Sequence, residues 1–186
     1  MNVFKKPAIA FLVAVLVVIC STTVTTSMKL NNKSEAITEG FYSGVKYQGV
    51  LNKSIYHALN ELCDIATEVI VVADNYGIST KELRSTLDTL RQSISYRNSD
   101  IDNIYYCYAN FYNSLRNVQI DLSNTGLSQR HIEYMTTATG QIILLKQDIE
   151  QSAYNESVAK FYKKFDRFPV NIFANLFEIE YPEYFA

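Results

Sequence analysis

From residue 8 to residue 168 the chain carries no proline. Proline lacks a backbone N–H and its ring clashes with the preceding turn, so its absence leaves this whole stretch free to form long helices. The spacing of apolar side chains uses that freedom. Ile55, Leu59, Leu62, Ala66, Val69, Ala73 and Tyr76 alternate at steps of four and three, which lines them along one helical face. This predicts a first helix from near Ser34 to Gly77. Ser79 and Glu82 have the spacing of a capping box, opening a second helix with Leu83, Leu87, Leu90 and Ile94 on one face. Asn98 and Ser99 break it. Ser99 with Asp102 starts a third, whose stripe is Ile101, Ile104, Tyr108, Phe111, Leu115, Val118 and Leu122, ending by Gly126. A fourth runs from about Ser128 to Phe168 through Ile142, Leu145, Ile149, Ala153, Tyr154, Val158, Phe161 and Phe165. At 1.5 Å per residue the first and last would each reach about 60 Å, matched by the second and third end to end. Gly40, Gly44, Gly49 and Gly140 are weak points for such helices, and the region before Leu51 is where a kink or fraying is expected.

The N-terminal end is of another kind. Lys5 and Lys6 precede Pro7, every residue from Ala8 to Cys20 is apolar, and a Ser/Thr-rich stretch continues uncharged to Met28. Residues 7–28 match the roughly 20 needed to span a bilayer as a helix. The strictly apolar part is also short enough for the core of a cleaved signal peptide. No small-x-small site follows it directly, and Ile19 before Cys20 is unsuited to a lipoprotein-type signal, so an uncleaved anchor is the expectation. Lys29 and Lys33 nearly balance Lys5 and Lys6 across the segment. The closer pair favours a cytoplasmic N-terminus, and the side on which the rest of the chain lies is left open.

Charge excludes one class of partner. With 17 basic and 19 acidic side chains the chain has a formal net charge of −2, without the basic stripe that a nucleic-acid backbone requires. Cys20, Cys63 and Cys107 are too few and too scattered for a disulfide framework, and the latter two fall on helical stretches where cysteine serves as a small hydrophobe. Tryptophan is absent, so aromatic packing falls to Tyr and Phe.

The closing region reads Tyr154-Asn155-Glu156-Ser157-Val158, then Phe168-Pro169-Val170-Asn171-Ile172-Phe173-Ala174-Asn175-Leu176-Phe177, and finally Tyr184-Phe185. It resembles the C-terminal signature of the LemA family, in which Tyr-Asn-x-x-Val is followed by Phe-Pro-x-Asn-x-x-Ala-x-x-Phe and an aromatic tail. The family's Arg-Arg-x-x-Leu-Ile-Pro-Asn-Leu-like stretch has no counterpart, since Ala58-Leu59-Asn60-Glu61-Leu62-Cys63-Asp64-Ile65-Ala66 stands there, and Thr139-Gly140-Gln141-Ile142 replaces its Glu-Asn-x-Ile. The resemblance implies a single-pass bacterial membrane protein with an elongated helical domain and neither an established enzymatic activity nor a cofactor.

Chemical constellations are sparse. His57, Glu61, Asp64 and Glu68 share one helical face and could in principle hold a metal, but the Glu-x-x-His elements of carboxylate-bridged bundle sites are missing. A solvated, salt-bridged face is the simpler reading, with Arg84 and Arg91 of the second helix as its partners. His57 and His131 have no nucleophile at a recognisable spacing and read as surface or cap residues. The Asn-x-Ser triplets at Asn32, Asn52 and Asn155 read as chance.

The sequence therefore predicts an all-α protein: an N-terminal transmembrane helix in residues 1–28, an elongated antiparallel bundle of long helices in residues 29–168, and residues 169–186 packed on it as a short helix and aromatic tail. Its expected role is that of a non-enzymatic, membrane-anchored scaffold or adaptor without catalytic, cofactor or metal residues. Its expected partners are the lipid bilayer, through residues 7–28, and a membrane or envelope protein, with no nucleic acid; self-association is compatible. Phe173, Leu176, Phe177, Tyr184 and Phe185 are the candidate interaction surface. A metal-dependent bundle enzyme and, after signal cleavage, a secreted small-ligand carrier are the alternatives.

Overall fold

The computed structural model describes residues 7–47, 50–51, 53–96, 100–165 and 179–186. Six helices account for almost all of them: α1 Pro7–Ser43, α2 Ile55–Asn75, α3 Lys81–Ser95, α4 Ile101–Ser123, α5 Gln129–Glu150 and α6 Ala153–Phe165. A minimal antiparallel ladder, β1 Lys46–Tyr47 with β2 Val50–Leu51, joins α1 to α2.

The expected stripes are the core. On α2, Ile55, Leu59, Leu62, Ala66, Val69 and Ala73 are buried, as are Leu83, Leu87, Leu90 and Ile94 on α3 and all seven predicted positions of α4. The predicted positions of α5 and α6 from Ile142 to Phe165 are buried, and Met135 and Ala138 extend the buried face of α5 towards its start. The central helix is α2, which packs against α1, α3, α4 and α5, while α3 packs on α4 and α6 on α1. Cross-helix pairs give the directions. Arg91 reaches Asp64 and Arg84 reaches Asp74, so α3 runs antiparallel to α2; Tyr134 meets Glu68 and Lys53 meets Asp148, so α5 does the same.

Two predicted helices are each divided in two, and the first also starts elsewhere. The helix expected from Ser34 to Gly77 stops at Ser43, where Gly44 takes φ 86°, a left-handed conformation that suits glycine. Gly40 permits the tight exit, since a Cβ there would lie 2.9 Å from Val45 Cγ2. A new helix then begins at Ser54, whose hydroxyl accepts from the His57 N–H at 3.0 Å. At its other end α1 extends back through the apolar segment, so the expected boundary at residue 28 falls inside one 37-residue helix. The helix expected from Ser128 to Phe168 is interrupted at Gln151 and Ser152. The part before the break packs on α2 and the part after it on α1. Phe168 lies outside the described residues.

Helix starts follow local chemistry more closely than pattern. The anticipated Ser79–Glu82 capping box does not form; Thr80 occupies the cap position of α3 without a capping bond. Its hydroxyl instead donates to Asp74 Oδ1 at 2.8 Å and accepts from Arg84 Nε at 3.1 Å, tying the α2–α3 turn together. Asp100 caps α4 and Ser128 caps α5.

Candidate functional site

The acidic face of α2 comes apart into separate pairs. His57 Nε2 lies 3.0 Å from Glu61 Oε1, and Lys53 approaches the same carboxylate at 3.9 Å. Asp64 is 3.6 Å from Arg91, and Glu68 accepts from the Tyr134 hydroxyl at 2.8 Å. Among the described residues no three His, Cys, Asp or Glu side chains are grouped to hold a metal ion. Arg91 is the partner expected from the sequence, and it also donates to Thr67 Oγ1 at 2.8 Å. Arg84 departs from that expectation and pairs with Asp74, nearer its own end of the hairpin. His131 sits in the first turn of α5, where its Nδ1 lies 2.8 Å from the Tyr76 hydroxyl. That hydroxyl accepts from the Ser128 N–H at 2.9 Å, and the hydrogen bonds from Ser128 lower the Tyr76 pKa, while the direction of the Tyr76–His131 bond follows the imidazole tautomer. The predicted cap role for His131 becomes a connection between the end of α2 and the start of α5.

The aromatic tail is where the motif residues meet. Residues 179–186 are held by three helices, α1, α4 and α6. Ser34 Oγ of α1 donates to the Glu180 carbonyl at 2.6 Å, and the Tyr154 hydroxyl of α6 donates to the Glu183 carbonyl at 2.7 Å. Asn155 forms a pair of bonds with the backbone of Phe185: its Nδ2 donates to the carbonyl at 2.8 Å, and its Oδ1 accepts from the N–H at 2.9 Å. Glu183 turns to α4, where its Oε2 accepts from the free N–H of Ile101 at 2.7 Å. Desolvation raises the Glu183 pKa, with the neighbouring Asp100 adding to it, while the Ile101 N–H opposes the rise. Burial likewise raises that of the Tyr154 phenol, which stays protonated as a donor.

Two residues of the candidate interaction surface fall in this tail. Phe185 is only 4% exposed and packs among Phe41, Tyr105 and Tyr108, with ring centroids 5.5, 5.2 and 5.8 Å away, so it belongs to the core rather than to a partner-facing patch. Tyr184 is exposed at 37% and stacks on Tyr162 at 5.5 Å. Phe173, Leu176 and Phe177, together with the short helix expected there, lie outside the described residues.

The apolar end of α1 has no such cover. In the apolar stretch that begins at Ala10, Phe11 is 71% exposed and Leu16 56%. The hydroxyls that follow are turned inward: Thr22 donates to the Val18 carbonyl at 2.8 Å, Thr23 to that of Cys20 at 2.8 Å, and Thr25 to that of Ser21 at 2.7 Å. Satisfied within the helix, they expose little polarity to an apolar surrounding. One helix of the described chain is therefore long and apolar enough to cross a membrane.

A groove missed by sequence reasoning lies between α1 and α6. It has a volume of about 380 Å³ and is lined by Lys33 and Ile37 of α1 and by Lys160, Phe161, Lys163 and Lys164 of α6. Lys33, which lies beyond residues 7–28, has its pKa lowered by partial burial and then by the ammonium of Lys164 beside it. The signal for it was the i, i+3, i+4 spacing of Lys160, Lys163 and Lys164, but only the fold brings Lys33 opposite. No family model, curated protein or solved structure matches the chain.

Proposed function

We propose that this chain is a single-pass, membrane-anchored helical scaffold or adaptor of LemA type, resident in a bacterial envelope and without catalytic activity of its own. The observation that carries the reading is α1 itself. Its first half presents unburied apolar side chains, and its last turns, through Phe41 and Ile37, pack into the folded core. A bundle built onto the same helix as its anchor is held at a fixed height above the bilayer, which suits a protein that presents surfaces to neighbours. The LemA assignment is part of the proposal and rests on the motif residues from Tyr154 to Phe185. The partner is proposed to be a membrane or envelope protein.

Crosslinking in native membranes, followed by identification of the captured proteins, tests the adaptor reading. Recovery of the same envelope protein in repeated captures supports it, whereas capture of lipid alone speaks against it. Metal analysis of the purified chain tests the enzyme alternative, and a stoichiometric metal would favour that reading. The carrier alternative has one observation behind it, an open groove of about 510 Å³ bordered by Leu122, Leu127, Ile132 and Met135, within the range of small-molecule sites. It requires a processed N-terminus, which the intact mass of the mature protein decides.

A further inference from the structure

The groove between α1 and α6 collects positive charge in a chain whose net charge is −2. Lys33 projects into it from α1, with Lys29 one turn earlier on the same face. Lys160, Lys163 and Lys164 enter from the same face of α6, the last two from its final turn. Among the described residues, acidic groups do not balance them. Glu156 is 2.7 Å from Lys160 and so neutralises one ammonium. Glu35 is two residues from Lys33, on the far side of α1, where it accepts from Asn31. Among the described residues Lys33, Lys163 and Lys164 make no ion pair. The floor is apolar, built by Ile37 and Phe161, and three flexible ammoniums surround it. This combination fits a compact anion that carries a hydrocarbon portion.

Position selects among such anions. Lys33 lies five residues past Met28, about 7.5 Å along a continuous helix, within one Debye length of a membrane surface at the end of the apolar run. Tyr154 at the start of α6 meets Phe41 near the end of α1, while Leu30 packs against the cluster of Phe161 and Phe165, so α6 runs antiparallel to α1 and its lysine-bearing end points towards the apolar run. We propose that the lysine-lined groove between α1 and α6 binds the phosphate of an anionic lipid headgroup, fixing the bundle against the bilayer from which α1 emerges. This rests on the membrane reading given above for residues 7–28.

The test uses the full chain reconstituted in nanodiscs of phosphatidylcholine with a minority of phosphatidylglycerol, and counts by native mass spectrometry the lipids it retains on release. Selective retention of phosphatidylglycerol is expected. The K33Q/K163Q/K164Q variant should lose it by about tenfold or more, since each ammonium near the surface attracts anionic lipid separately. Replacement of the same three by arginine should keep it, and K81Q, remote on α3, should leave it unchanged. Equal retention of both lipids by the unaltered chain, or loss of selectivity in K81Q as well, overturns the proposal. Titration of inorganic phosphate onto the detergent-solubilised chain separates the sources: binding of free phosphate without lipid selectivity overturns the headgroup assignment. A chain that does not enter nanodiscs overturns the membrane reading itself, an outcome distinct from insertion without selectivity, which removes the groove proposal alone.

Discussion

Leu115 sits at the centre of the most regular stripe in the chain and is fully buried, beside an equally buried Phe111. Its replacement by alanine is expected to cost about 2–5 kcal/mol in urea unfolding of the full chain, because the cavity it leaves cannot collapse between packed helices. A change near zero would mean that α4 packs differently. The acidic face of α2 predicts the opposite magnitude. Its pairs are solvent-exposed, so replacing Glu61 and Glu68 together by glutamine should leave the protein folded, each such pair being worth about 0–1 kcal/mol. Cys63 provides a pH-dependent check. Burial raises its thiol pKa to about 12 from an ordinary 9.0, so the folded chain keeps a proton that the unfolded chain releases. Its contribution to stability is present below pH 9 and is lost as pH rises from there towards about 12. Unfolding midpoints measured across that window should fall less in C63A than in the unaltered chain. Equal falls would place the thiol in solvent. These residue-level assignments were largely legible in the sequence, because three-four spacing selects one face of a helix whatever that face packs against.

The elements were less legible. Spacing continues across a break when the residues on both sides stay apolar, so the interruption at Ser152 left no mark on the stripe that defined the last helix, whereas that at Gly44 fell in the glycine-bearing region before Leu51 where a kink or fraying was expected. The Gly44 break is required by its left-handed backbone, and the Ser152 break accompanies a change of packing partner that only the assembled bundle determines. The tail illustrates the same limit. Tyr154 and Asn155 stood out in the sequence, yet their function of gripping residues 183 and 185 depends on a contact about thirty positions away. Phe185 was named both in a tail packed on the bundle and in a candidate interaction surface, and Phe41, Tyr105 and Tyr108 build a pocket around it. Asn155→Ala removes both bonds to Phe185 and should leave two backbone groups short of partners. Hydrogen exchange is expected to accelerate selectively in residues 179–186, with a loss of about 1–3 kcal/mol in global stability. Unchanged exchange in that segment would mean that its grip lies elsewhere.

For the molecule as a whole, the governing feature is that the apolar segment and the bundle share a helix. The sequence suggested two units meeting near residue 28; in the folded chain α1 passes that point unbroken and reaches the core at Phe41. In the proposed membrane setting α1 would set the height and rotation of whatever the bundle presents, which is why the proposed role is positional rather than chemical. The lysine groove was invisible at sequence level for the same reason: Lys33 had meaning only as a flank of the apolar run until α6 came to lie beside it. The account depends most directly on residues 7–28 remaining part of the mature chain and embedded in lipid. Alkaline extraction of native membranes, with the intact mass of the protein read from each fraction, measures this. The account predicts the unprocessed mass in the membrane pellet; a shortened chain in the soluble fraction would contradict it.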